Sequence, residues 1–206
     1  MTAQSRVPPG RAGRLRLRRS LDTALRGAGL LERKLHILHA DHRRLLRAAE
    51  DASRTWEERV SEAETWLRRA VVLGGERSLE AAQDGVGPAV VAVGRSATMG
   101  VRHPSGFSCT VPERAAGTAV YGNTALVHAE GAYREVLRAA GEYAAARSAA
   151  RAVGDAVLST RRRVRALRRH WIPRLEQALE RVDLALEQAE HEDVVRRRWA
   201  APPSGG

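Results

Sequence analysis

A mainly α fold is predicted for this 206-residue chain: a long antiparallel two-helix coiled coil with a short central β-hairpin region. Two apolar stripes in steps of three and four, and a glycine- and valine-rich stretch between them, lead to that reading. Composition agrees. Aromatic residues are 4% of the chain and Phe107 is the only phenylalanine, so the large groups that fill a wide globular core are scarce. Alanine, leucine, arginine and glutamate dominate, as they do in long helices.

The first stripe runs Leu17, Leu21, Ala24, Ala28, Leu31, Leu35, Leu38, His42, Leu45, Ala49, Ala52, Trp56, Arg59, Ala63, Trp66 and Ala70, interrupted only by His42 and Arg59. It predicts a helix over 11–73, roughly 90 Å long at 1.5 Å per residue. Gly74-Gly75 ends it. The region 74–118 follows, where Val90, Val91 and Val93 have strand character and glycine and proline punctuate both sides. A short hairpin at the turn-around end is expected there. The second helix is expected over 119–199. Its stripe begins Leu126, Ala129, Tyr133, Val136, Ala140 and Tyr143, and resumes as Val157, Val164, Leu167, Trp171, Leu175, Leu179, Val182, Leu186 and Ala189. Residues 1–10 and 200–206 read as flexible tails.

Neither helix buries its stripe alone, so the two are expected to fold back on each other. The seam residues Leu31, Leu35, Leu38, Leu45, Val164, Leu175 and Val182 would carry most of the burial, at about 1.5–3 kcal/mol for each fully buried large side chain. One residue conflicts with this scheme. Pro173 removes a backbone donor inside the second helix, at about 3 kcal/mol in an ordinary helix interior. The steps Leu167 to Trp171 to Leu175 to Leu179 are all four, a slip of the heptad that encloses the proline. The expectation is a kink near Pro173 where the seam changes phase.

The formal net charge is +11 and Lys34 is the only lysine, so the excess is carried by arginine. Such a surface suits acidic proteins, phosphates or nucleic acid. Enzymatic chemistry finds no support. The single lysine sits in no Walker A motif, Gly85-Val86-Gly87 runs into Pro88, and Cys109 stands alone. His36, His39 and His42 recur at three-residue spacing beside Asp41, but the stripe puts His42 in the seam and the others off it, so polar surface histidines explain them better than a metal site. Catalytic, cofactor-binding and metal-ligating residues are therefore expected to be none, and the chain carries no apolar run long enough to span a bilayer.

Three separated segments carry a resemblance. GRLRLRRSLDTALRGAGLLERK (Gly13–Lys34), ATMGVRHP (Ala97–Pro104) with AVYG (Ala119–Gly122), and TRRRVRALRRHWIPRLEQALERVD (Thr160–Asp183) resemble, in order, the D subunit of the A-type/V-type rotary ATPases. The chain departs from the family's usual residues at Arg165 and at Val194-Val195. The resemblance implies a non-catalytic central-stalk rotor that couples ATP synthesis or hydrolysis in a catalytic hexamer to ion (proton) transport across the membrane, with the choice between proton and sodium ion left to other subunits. It implies that both termini sit inside a ring of catalytic A and regulatory B subunits, with Arg14, Arg16, Arg18, Arg19, Arg196, Arg197 and Arg198 near the bearing. It implies that the hairpin end, with Met99, Gly100, Val101 and Pro104, meets the F subunit of the rotor and the C/d socket subunit above the membrane ring. No nucleic acid, cofactor or direct membrane insertion is implied, and the location is cytoplasmic and peripheral to the cell membrane. The competing readings are a basic coiled coil that binds nucleic acid and a scaffold rod.

Overall fold

The computed structural model describes residues 10–83, 86–112 and 123–200. Their elements are helix α1 (Arg11–Gln83), strands β1 (Val90–Thr98) and β2 (Val101–Thr110), helix α2 (Thr124–Ala166), a π-helical turn (Leu167–Trp171) and helix α3 (Ile172–Ala200). The two long helical stretches with a two-stranded antiparallel sheet between them match the predicted fold class. The tails 1–9 and 201–206, and the start of the second helix expected at 119, lie outside the described residues. Contacts divide the chain into two compact units: Met1–Leu35 with Ser159–Gly206, here the terminal unit, and His36–Leu158, the hairpin unit.

In the hairpin unit α1 and α2 run antiparallel. Trp56 stacks on Tyr143 with centroids 5.6 Å apart, Trp66 stacks on His128 at 4.5 Å, and the Asn123 side chain donates to the Ala70 carbonyl at 3.1 Å. Partner numbers fall on α2 as they rise on α1. Leu38 is fully buried and Leu45 nearly so, while Ala63 and Ala70 bring the backbones close. Alanine-rich seams bury little area per residue, so the aromatic stacks supply packing the alanines lack.

α1 breaks where the glycine pair stands. Gly75 takes φ 69° and ψ 179°, a conformation that would strain a residue with a Cβ, and a short helical segment follows it. Asn123 then caps α2, its Oδ1 accepting from the Leu126 N–H at 3.0 Å while its amide holds Ala70. One side chain thus seals the end of one helix and the start of the other. Around it, Ala70, Ala125 and Leu126 form a small core flanked by Trp66, Leu79 and Ala82.

The hairpin does not project beyond the turn-around end, which is where the sequence pattern places it. It folds back along the helices. The Phe107 ring occupies the space over Gly141, where any added methyl would collide with it. At the hairpin's tip, the Thr98 hydroxyl meets Asp41 on α1. Asp41 lies 33 residues before Gly74, about 50 Å back along the helix. β2 turns Val101, His103, Phe107 and Cys109 inward, whereas β1 is exposed along all but its last residue. The register steps over Ser105 opposite Gly94 and Arg95, a bulge that bends the ribbon.

In the terminal unit the start of α1 lies antiparallel to α3 and the end of α2. Arg11 pairs with Glu190 at 3.0 Å, Arg14 with Asp183 at 2.6 Å, and Glu32 with Arg168 at 2.9 Å. Ala24, Ala28 and Ile172 form the core, packed by Leu21, Leu167 and Leu175. Here the structure corrects the predicted stripe. Trp171 is 52% exposed and Ile172, one residue on, is 5% exposed. The covered positions run Thr160, Val164, Leu167, Ile172, Leu175, Leu179, Val182 and Leu186, a three-four pattern broken by one step of five.

The π turn supplies that step. The Ile172 N–H bonds to the carbonyl of Leu167, five residues back rather than four. One extra residue is thereby absorbed ahead of Pro173, whose missing N–H falls where the ladder has already changed register. The slip that reads as four, four, four along the sequence is a π insertion, and it restores the seam's phase on the far side.

Candidate partner-binding surfaces

The arginines expected near a bearing all belong to the terminal unit. Arg16, Arg18 and Arg19 are exposed, and Arg14 reaches Asp183. Arg196 pairs with Glu192 and Asp193 on its own helix, while Arg197 and Arg198 are exposed in its last turn. Basic side chains there also suit the negative end of the helix dipole. Residues 191–200 are exposed throughout, Trp199 at 87%. Arg11, the first residue of α1, already pairs with Glu190, so this last stretch of α3 runs on past its helical partner. A bare helix end bearing Val194, Val195, Trp199 and three arginines offers an outside surface both apolar anchors and charge.

Met99 and Gly100 form the two-residue hairpin turn. Both have positive φ, 50° and 81°, as a tight turn joining right-twisted strands requires. Val101 and Pro104 are half-buried. His103, which sequence reasoning passed over, is the buried residue of this group. Its Nδ1 lies 2.8 Å from the Pro104 carbonyl and so carries a proton, and its Nε2 is 3.2 Å from the Thr98 hydroxyl. Asp41, 13% exposed, faces the same hydroxyl and takes Arg44 at 2.6 Å. Burial pushes the Asp41 carboxyl up, but the Thr98 hydroxyl, the Arg44 guanidinium and the nearby His103 together hold it below its usual value. No periodic pattern could have found this cluster, because its members come from a helix and a hairpin far apart in sequence.

The turn-around end carries other residues. Val72, 85% exposed, and Leu73 stand beside Trp66, Arg69, Ala125 and His128 in a shallow apolar groove, with the Arg69 guanidinium 4.7 Å from the Trp66 ring centre. The structure therefore separates two features that the sequence pattern joins. Met99, Gly100, Val101 and Pro104 lie about 50 Å from this end by the helical rise between Asp41 and Gly74.

Charge is distributed unequally. The terminal unit carries 20 of the 35 lysines and arginines and 9 of the 24 acidic residues, so the whole net charge of +11 falls on it; the hairpin unit carries 15 of each. Among the described residues, no three His, Cys, Asp or Glu side chains are grouped to hold a metal ion, and no helix is long and apolar enough to cross a membrane. His42 packs against Gly154 instead.

Paired helical segments, braced in the hairpin unit by a two-stranded ribbon and bearing exposed apolar and arginine-rich stretches, define a mainly α, coiled-coil class of protein. The sequence profile of the ATP synthase D subunit matches residues 14–201, and the chain belongs to that family. It is similar to the D subunit of the A-type ATP synthase of Methanopyrus kandleri, 30% identical over 195 residues that cover 92% of this chain and 83% of that one. It is also similar to the D subunit of the V-type ATP synthase of two Thermus thermophilus strains, 28% identical over 193 residues, covering 93% of this chain and 86% of each relative.

Proposed function

We propose that this chain is the central-stalk rotor component of a V/A-type rotary ATPase, a non-catalytic part that couples ATP turnover in a hexamer of A and B subunits to ion transport. The observation that carries the reading is family membership over nearly the whole chain, joined to a surface whose excess charge is confined to one unit. The terminal unit enters the ring, with Arg14, Arg16, Arg18, Arg19 and Arg196–Arg198 at the bearing and the bare end of α3 leading. The groove at Val72 and Leu73 meets the C/d socket subunit above the membrane ring. The exposed hairpin turn at Met99-Gly100, with Val101 and Pro104 behind it, serves the F subunit of the rotor. The protein works at the cytoplasmic side of the cell membrane without inserting in it.

The mechanism requires no bond chemistry in this chain. As the shaft turns, each orientation makes different contacts with the open and closed states of the three catalytic sites, and that difference in contact free energy is what couples rotation to turnover. The π turn and Pro173 give the shaft a local irregularity that the ring meets once per revolution.

Purification of the tagged chain from its native membrane tests the reading. The A, B, F and C/d subunits are expected in the retained fraction, and their absence overturns it. Charge reversal at Arg196–Arg198 is expected to weaken ring assembly most strongly at low salt. Replacement of Pro173 by alanine is expected to lower the coupling of ATP turnover to ion movement, and unchanged coupling removes any role for the irregularity.

A further inference from the structure

Between Asp155 and Glu176 the helical chain contains no acidic residue, yet it carries six arginines from Arg161 to Arg169. Three of them form a ridge. Arg162, Arg165 and Arg169 are spaced i, i+3 and i+7, on the side of the helix away from the buried Thr160 and the half-buried Val164 and Leu167, and all three are exposed. Among the described residues none of the three has an ion-pair or hydrogen-bond partner. Like charges one turn apart destabilise a helix by a few tenths of a kcal/mol per pair, so the arrangement weakens the helix that bears it. In the hairpin unit Arg54, Arg59, Arg68, Arg134 and Arg138 each pair with an acid three or four residues away on the same helix, an arrangement the ridge lacks.

We propose that the ridge Arg162–Arg165–Arg169 is a docking surface for an acidic polypeptide segment of a partner protein, separate from the arginines at the chain ends. The complement is carboxylates, and the same stretch of chain displays the interaction once. Arg168 grips Glu32 through two parallel hydrogen bonds, 2.9 Å from Nε and 3.0 Å from Nη2, a fork that lowers the Glu32 pKa and raises that of Arg168. Arginine rather than lysine throughout the stretch favours such planar two-point pairing. Trp171, the large aromatic side chain of this stretch, lies beside Leu167 in a groove with Arg16 and Arg19 of α1 rather than on the ridge. A ridge without a ring of its own offers a nucleic-acid strand no stacking platform, which leaves carboxylates as its complement.

The inference rests on the chain's working inside a multi-protein complex, and the test separates the two. Full-length wild type, R162Q/R165Q/R169Q and a control with the same change in net charge in the hairpin unit, R54Q/R59Q/R68Q, are compared for retention by immobilised polyglutamate at about 50 mM salt, where screening is weak. Glutamine keeps the helix, which circular dichroism verifies. The ridge variant is expected to lose retention about tenfold, and the control about two- to threefold at most. An equal loss in both variants means that net charge alone acts, and overturns the ridge. So does an unchanged ridge variant, or tighter binding of the wild type to duplex DNA than to polyglutamate at the same salt. With the reconstituted A and B hexamer, the ridge variant is expected to assemble but to associate about tenfold more slowly at low salt. Selective loss on polyglutamate with no capture by the hexamer supports the ridge and overturns the rotor assignment.

Discussion

The terminal and hairpin units are built from the same material, an antiparallel pair of alanine-rich helical segments, and they use it differently. The hairpin unit stacks aromatic groups between its helices, while Val72 and Leu73 stay exposed at its turn-around end. Trp56 stacks on Tyr143 and Trp66 on His128, Phe107 fills the gap over Gly141, and Arg44, Arg54, Arg59, Arg68, Arg134 and Arg138 each pair with an acid on their own helix. The terminal unit leaves its tryptophans and its charge outside. Trp171 and Trp199 are exposed, the core is Ala24, Ala28 and Ile172, and eleven positive charges remain unbalanced. A unit whose charge is unbalanced and whose tryptophans stay exposed gains stability when a partner covers it, by mass action.

The comparison is broken most directly in the hairpin unit's core. Leu38→Ala, at a fully buried position, is expected to lower stability by about 3 kcal/mol, because the alanine-lined seam has few side chains able to fill the cavity. Urea denaturation measures the loss. The equivalent change in the terminal unit, Ile172→Ala, is expected to cost about 2 kcal/mol in the isolated chain and less once partners cover the unit. Equal losses with and without partners would erase the distinction between the units.

Gly141→Ala places a methyl against the Phe107 ring and is expected to cost about 1–3 kcal/mol, with the hairpin displaced from the helices. Adding Phe107→Ala makes room for the methyl, and the second change is expected to cost less in the Gly141→Ala background than alone. Hydrogen exchange over β1 and β2 reports the displacement. No rescue would mean that the hairpin is held elsewhere.

Asp41→Asn keeps the shape but removes the charge facing Arg44 and His103, and is expected to cost about 1–2 kcal/mol. The folded pKa of Asp41 lies below the unfolded one, so its contribution is complete above the ordinary carboxylate range and fades as pH falls through the folded value. The wild type and variant are therefore expected to differ in melting temperature near neutrality and to converge in acid. The smallest effect is expected at an exposed pair such as Arg68–Glu64, where Arg68→Gln should change stability by less than about 0.5 kcal/mol.

Along α1, the sequence pattern and the structure coincide closely. Every stripe position from Leu17 to Ala70 is buried or half-buried except Arg59, because a continuous helix converts spacing into a face with no further information. The glycine pair marks the break for a similarly local reason, since only a residue without a Cβ accepts the φ at Gly75 freely. The arginines proposed for the bearing are legible as charge, but their distribution between units is not, since it depends on which segments pair.

Periodicity fails at the second helix. Trp171 fits the spacing and Ile172 does not, yet a π turn swings Ile172 inward, and the choice is made by a backbone register that no residue count reveals. The hairpin's valines predict strands correctly. Their position along α1, the contact of Thr98 with Asp41 and the seat of Phe107 over Gly141 are set by packing between segments distant in the chain. The chain by itself thus determined its helices, their seam along α1, their break and its excess of charge, all consequences of neighbouring residues sharing one backbone geometry. Tertiary structure alone decided which face the π turn buries and where the hairpin rests, because those depend on side chains that meet only after the chain has folded back.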